Sequence, residues 1–349
     1  MSTGPLRLEQ YETVLYNSNL NPHGIPESVK KALLNSVDSI NKYPDVYYGT
    51  LKNAVSEYVH SPLDTIITGN GSSDLLRLFA ALISPKKSMV LVPSSTEYEK
   101  VLTAYGSEVT YYNLDEEKEF QLDLIDFLAS LDSSIDMLVI GNPNNPTSKK
   151  IKRDDIETIA EVCDSLGIFL LIDEMYIEFI DNYEDFTAVP LVEKFKNMAI
   201  LRSVSKFFAV PGIRFAYGVM NNPDLMSIID ATTTRNISVL SAIAAIEMFK
   251  DENYIQESRS TIHTERSLVY LAMSTCKTIK LIRPDANFML MKILKDDITA
   301  SDVYDHCKQR GVLIRKCDDI TGLNNKYVRF CFMKPKQNDL MVNTILELM

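Results

Sequence analysis

Cysteine and histidine are scarce in this chain of 349 residues, and neither is spaced for a metal. The five cysteines (Cys163, Cys276, Cys307, Cys317, Cys331) are odd in number and contain no Cys-x-x-Cys pair, and the four histidines (His23, His60, His263, His306) are scattered. The pattern argues against a disulfide framework and a zinc site alike, and makes a reducing cytoplasm the expected compartment. Long apolar runs are also missing: the longest, such as 167–172, have the length of a strand, against the roughly 20 residues that span a bilayer. Residues 1–20 mix Arg7, Glu9 and Glu12 with few apolar side chains, so they read as neither a secretory leader nor a transit peptide. Basic charge is in deficit. Thirty-six Lys and Arg stand against 47 Asp and Glu, a net charge of −11, whose field repels nucleic-acid phosphate and anionic lipid. Glycine-rich cofactor loops are lacking too: no Gly-x-Gly-x-x-Gly or Walker pattern occurs, which disfavours a nicotinamide dehydrogenase. No internal repeat, low-complexity tract or Pro/Gly-rich linker divides the chain.

What is present is apolar content of 46%, enough for about two packed domains at roughly 100–200 residues each. Short β-rich runs at 89–92, 109–112, 137–140, 169–172 and 198–201 alternate with segments of helical period at 97–105, 122–131 and 154–166. This rhythm predicts βαβ units around a mostly parallel sheet buried on both faces. The flanks differ. Val29, Ala32 and Leu33 give a helix just after Pro26, and beyond 250 a charged amphipathic stretch precedes strand-like 287–293, 312–314 and 327–332. The expected division is a large α/β domain, 46–254, and a small α+β domain made from both chain ends, 1–45 and 255–349.

Four motifs fall at strand ends or helix starts. Ser203-Val204-Ser205-Lys206 follows a buried run, and Arg214 comes eight residues after the lysine beside Pro211-Gly212. Such a lysine can serve as a Schiff-base amine next to an anion clamp, although alone it reads as a surface loop residue. Asp173 ends another apolar run, with Tyr176 three residues on; ligands of open parallel sheets bind outside these carboxyl ends. A buried carboxylate there can keep a pyridine nitrogen protonated, and a phenol can bond the ring's 3-oxygen. Asn142-Pro143-Asn144-Asn145-Pro146-Thr147 makes a rigid turn with fixed amides. Gly69-Asn70-Gly71-Ser72-Ser73 opens a helix whose first amides suit a phosphate.

With these motifs together, the chain resembles the fold-type I pyridoxal-phosphate enzymes of the class I/II aminotransferase group. It is most similar to the branch of histidinol-phosphate aminotransferases and threonine-phosphate decarboxylases. The likeness also runs through Asn19-Leu20-Asn21-Pro22-His23-Gly24, Tyr43-Pro44-Asp45 and Asn287-Phe288. The resemblance implies pyridoxal 5'-phosphate as cofactor, Lys206 as the Schiff-base lysine, Asp173 on the pyridine nitrogen, and Tyr176 and Asn145 on the 3-oxygen. It implies Ser203, Ser205, Arg214 and the Ser72 and Ser73 amides on the phosphate, with Tyr43 reaching a neighbouring subunit's cofactor in a homodimer. Arg329 would clamp the substrate's anionic group, Arg315 a second anion, with Asn19 and His23 nearby. Three positions depart from the family pattern: Ser95 replaces the aromatic that stacks on the ring, leaving Tyr98 as the candidate substitute; Ser148 replaces glycine; Met175 replaces alanine. The implied reaction is transamination between a small amino substrate bearing a second anionic group and a keto acid. The alternative is decarboxylation of an O-phosphorylated amino acid. A catalytically silent regulator is disfavoured, since the chain leaves no room for an appended basic DNA-binding domain.

Overall fold

The computed structural model describes residues 13–232 and 234–349; the reading of residues 1–12, including their place in the small domain, lies outside the described residues. In chain order the main elements are β1 (Val14–Leu15), α1 (Glu27–Ser36), α2 (Gly49–Val59), β2 (Ile66–Gly69), α3 (Ser72–Ile83), β3 (Lys87–Val92), α4 (Thr96–Ala104), β4 (Glu108–Asn113), α5 (Leu124–Ala129) and β5 (Met137–Gly141). Then come α6 (Arg153–Leu166), β6 (Phe169–Asp173), β7 (Met198–Ser203), α7 (Val204–Phe207), β8 (Ala216–Val219), α8 (Pro223–Thr232), α9 (Val239–Lys250) and α10 (Glu252–Met273). The chain closes with β9 (Ile279–Leu281), β10 (Phe288–Ile293), α11 (Ala300–Gln309), β11 (Val312–Leu313), β12 (Arg315–Lys316), β13 (Tyr327–Cys331) and α12 (Pro335–Leu348).

A seven-stranded sheet runs in the order β2-β8-β7-β6-β5-β3-β4. Its pairs are parallel from β7 through β4, and β8 is inserted antiparallel between β7 and β2. The expected α/β class and mostly parallel sheet are thus present. Strand alternation explains why both faces are covered. Leu138, Ile140, Leu170, Ile172, Met198 and Ile200 join one core with Ile156 and Ile159 of α6. Met137, Val139, Phe169, Leu171, Ala199 and Leu201 join a second core with Leu75 and Phe79 of α3 and Leu102 of α4. Each fully buried Leu, Ile or Phe contributes about 1.5–3 kcal/mol. A four-stranded sheet, β12-β13-β10-β9, lies in the C-terminal part, β1 pairs with β11, and α1 packs against α9. Among the described residues no helix is long and apolar enough to cross a membrane.

The ends of β6 and β7 are stapled by a buried ion pair. Arg202, one residue before Ser203, donates from Nε to Glu174 Oε2 at 2.9 Å and from Nη2 to Thr187 Oγ1 at 2.6 Å. Glu174, one residue after Asp173, also accepts from Thr187 Oγ1 and the Ala188 amide. Both ionic side chains are buried. Removing one partner strands the other charge, so Arg202→Met should cost about 3–5 kcal/mol in urea denaturation. Arg202→Met with Glu174→Leu should recover most of that loss; an equal loss in the double variant would assign the effect to packing instead.

Candidate active site

The carboxyl ends of four strands and the start of α3 surround one cavity of about 250 Å³. Ser72, Ser73, Tyr98, Asn145, Asp173, Tyr176, Ser205, Lys206 and Arg214 all line it. The parallel strands place them there: each strand leaves its chemical residue where the backbone turns out of the sheet.

One end of the cavity is built for an anion. Gly71 adopts φ +94°, and a Cβ on it would lie 2.3 Å from Arg214 Nη2, so only glycine admits the guanidinium at this helix start. No side chain caps α3, and the amides of Ser72 and Ser73 have no acceptor among the described residues. Free amides, the helix dipole and Arg214 thus point the same way. Ser203 Oγ, 3.0 Å from Ser205 Oγ, holds that hydroxyl at the cavity wall.

The other end carries Asp173. Burial pushes its carboxyl up to about 6, opposed by bonds from the Tyr98 hydroxyl at 2.7 Å and the Met175 amide at 2.9 Å. Gly141, which ends β5, leaves room for the Tyr98 hydroxyl; a Cβ there would stand 3.2 Å from the Tyr98 oxygen. Burial, and then the Asp173 charge, holds the Tyr98 phenol well above its ordinary range, so it remains a donor. The bond to Asp173 was not visible in the sequence, where Tyr98 reads only as a substitute ring. Ser95, at the aromatic's position, lines the cavity and accepts from the Glu97 amide at 3.4 Å, capping α4.

Lys206 lines the same cavity. Its Nζ donates to the Ser18 carbonyl at 2.8 Å, and burial, then the nearby Arg329 charge, brings the amine down to about 8. A neutral fraction near physiological pH is what a nucleophilic or proton-moving lysine needs. Tyr176 accepts from Asn19 Nδ2 at 3.3 Å and meets the Phe288 ring edge-on at 4.8 Å. Arg329 is buried, donating from Nη1 to Asn145 Oδ1 at 2.5 Å and from Nη2 to the Asn17 carbonyl at 2.8 Å. Its Nε and the Asn19 Oδ1 are buried with no hydrogen-bond partner among the described residues.

Six residues expected at the site lie outside the cavity lining: Ser203, Asn19 and Arg329, which bond to residues that line it, and His23, Tyr43 and Arg315. His23 Nε2 meets Thr261 Oγ1 at 2.9 Å against α10. Tyr43 is 84% exposed, with Arg235 over its ring at 5.1 Å. Arg315 is engaged by Asp319 at 2.7 Å. Glu97, Met175 and Pro211 line the cavity as well.

Residues 12–345 match the aminotransferase class I and II family. The chain belongs to that family. It is 30% identical to the threonine-phosphate decarboxylase of Salmonella typhimurium over 94% of this chain and 88% of that protein. It is 29% identical to the histidinol-phosphate aminotransferase of Methanosphaera stadtmanae, covering 95% and 89% of the two. The crystal structure of the histidinol-phosphate aminotransferase from Clostridium acetobutylicum superposes with a TM-score of 0.88 at 31% identity, over 96% of this chain and 99% of that one. The protein is therefore a pyridoxal-phosphate enzyme of fold type I. The residues present fit that cofactor: an anion cradle at Gly71–Ser73 and Arg214, a buried carboxylate, and a lysine of lowered basicity, all lining one cavity.

Tyr98→Phe removes a bond that opposes the rise at Asp173. Such a bond to a charged group is worth about 1.5–3 kcal/mol, roughly one to two pKa units. The ionised carboxylate exists only above its pKa, so the acid limb of cofactor affinity should move to higher pH. Absorbance titration of apoenzyme with pyridoxal phosphate across about pH 5–8 measures this; an unmoved acid limb would show that Tyr98 does not govern the Asp173 charge.

Proposed function

We propose that this enzyme is an aminotransferase that moves the amino group between a keto acid and a small amine or amino acid carrying a second anionic group. That group is a phosphate, phosphonate or carboxylate. The observation that carries the reading is Arg329, a buried guanidinium with an unsatisfied Nε, beside a lysine whose basicity it lowers. Asn145, which lines the cavity, and the Asn17 carbonyl hold it in place.

Ser72, Ser73, Ser205 and Arg214 would hold the cofactor's phosphate, Asp173 its ring nitrogen, and Tyr176 and Asn145 its 3-oxygen, with Ser203 supporting Ser205. The bound cofactor supplies an electron sink for whichever bond breaks at the substrate's α-carbon. Arg329 orients that carbon by pairing with the substrate's anion through a planar fork. Lys206 Nζ holds and moves the proton, since an amine near pKa 8 both takes and returns it at neutral pH. Met175 at the cavity wall narrows the space open to the substrate.

The assembly we propose is a cytoplasmic homodimer, with 46–254 as the large domain and 1–45 with 255–349 as the small one. Leu34, Val37, Ile40 and Tyr47 are exposed in the segment that carries Tyr43, which itself lines a groove of about 240 Å³ with Tyr48, Ile243 and Ile246, a surface suited to a second copy. All five cysteines are free, in keeping with a reducing compartment. In this assembly Tyr43 serves the partner's cofactor phosphate. Mixing inactive Lys206→Ala and Tyr43→Phe subunits should then restore activity; no recovery in heterodimers shown to form would reject the shared site.

Identity to the Salmonella decarboxylase favours a second reading, decarboxylation of an O-phosphorylated amino acid. Holoenzyme incubated with O-phosphothreonine or histidinol phosphate, each with 2-oxoglutarate, separates the two. Transamination yields glutamate without CO₂; stoichiometric CO₂ without glutamate would replace the first reading by the second.

A further inference from the structure

Strands β12 and β13 set Arg315 directly opposite Arg329. Opposed residues of an antiparallel pair leave the same face, and like charges placed so are destabilising. The two guanidiniums nonetheless have different partners. Arg329 turns to Asn145 at the cavity wall. Arg315 is taken by a carboxylate of its own chain: Nη2 donates to both oxygens of Asp319 at 2.7 Å, and Nη1 to the Lys316 carbonyl. Arg315 foremost holds the Asp319 carboxyl below the usual range, with Lys100 of α4 adding to the effect.

The segment that carries Asp319 packs on either side of two residues that line the cavity. Gly322 approaches Pro93 so closely that a Cβ would stand 3.2 Å from its nitrogen, and Thr321 Oγ1 donates to Glu99 Oε2 at 3.5 Å. Pro93 and Glu99 flank Ser95 and Glu97, which line the cavity.

We propose that Asp319 is a specificity-determining residue: its carboxylate occupies the guanidinium face of Arg315 on which the substrate's second anion lands, and the two anions exchange. The proposal rests on the second-anion reading above. Asp319 is half exposed, at 54% of its side chain, so leaving Arg315 returns it to water beside Lys100 at little cost. A phosphate dianion brings more charge and more acceptor oxygens than the carboxylate it replaces, so it wins the exchange. A neutral tail offers Arg315 nothing and leaves the internal pair closed. The chain's own carboxylate thus sets a threshold that an incoming group must exceed.

The test uses holoenzyme, so that the cofactor's phosphate fills the Ser72–Arg214 cradle. Asp319→Asn should lower both the KM for the phosphorylated substrate and the inhibition constant of inorganic phosphate by about fivefold, the scale of a surface ion pair. It should leave kcat unchanged and spare the unphosphorylated counterpart. Asp319→Glu should restore both constants toward wild type, which a merely structural role would not do. Unchanged constants in Asp319→Asn, with Arg315→Gln raising them, would overturn the exchange while leaving the second-anion reading intact. Unchanged phosphate binding in an active Arg315→Gln enzyme would overturn both.

Discussion

The buried pair of Arg202 and Glu174 is the constraint on which the site depends. Each member adjoins a residue of the chemistry, Arg202 before Ser203 and Glu174 after Asp173, so the pair fixes the relative height of two strand ends. Two charges without water would be costly, but Glu174 also takes the Thr187 hydroxyl and the Ala188 amide, and Thr187 in turn accepts from Arg202. The network is closed rather than half-satisfied, which is the condition for a buried ion pair to hold a unique arrangement. A further acid, Glu178, lies near Arg202; burial pushes it up to about 7 against the pull of that arginine.

Above this staple the cavity separates charge by position. Burial acts on both key titrating groups and moves them in opposite directions, lifting the Asp173 carboxyl and lowering the Lys206 amine, because in each case it disfavours the charged form. Individual bonds then correct the result. Tyr98 returns Asp173 toward the anion, whereas at the opposite end Gly71, Arg214 and two free amides favour negative charge on the ligand. A molecule with a phosphate at one end and a basic ring nitrogen at the other meets complementary charge along its whole length.

The sheet was legible because β5, β6 and β7 are continuous apolar runs, and their carboxyl ends announced Asn145, Asp173 and Lys206. β8 was not, since four residues, Ala216–Val219, carry too little pattern to reveal an antiparallel insertion. Nor could the sequence show that Tyr98 bonds a residue 75 positions away. Gly141 leaves room for that contact, and its missing side chain has no periodicity to betray it. Arg315 illustrates a different limit. Its strand position was readable, but its partner Asp319 lies only four residues on, and neighbouring opposite charges are too common in sequence to single out.

In the proposed function, the position of Arg329 would link substrate binding to proton transfer. It reaches Asn145 and the Asn17 carbonyl, residues 184 and 312 positions away, so its orientation exists only once the fold is complete. In the free enzyme its charge adds to burial in lowering Lys206. A substrate anion paired with Arg329 would neutralise that contribution, and the amine would then hold a proton more strongly than before. Linkage makes the effect reciprocal: an anion binds Arg329 more tightly when Lys206 is protonated. In the proposed function, the guanidinium that orients the α-carbon would therefore also raise the proton affinity of the lysine that takes a proton from it, and would do so only with the substrate in place.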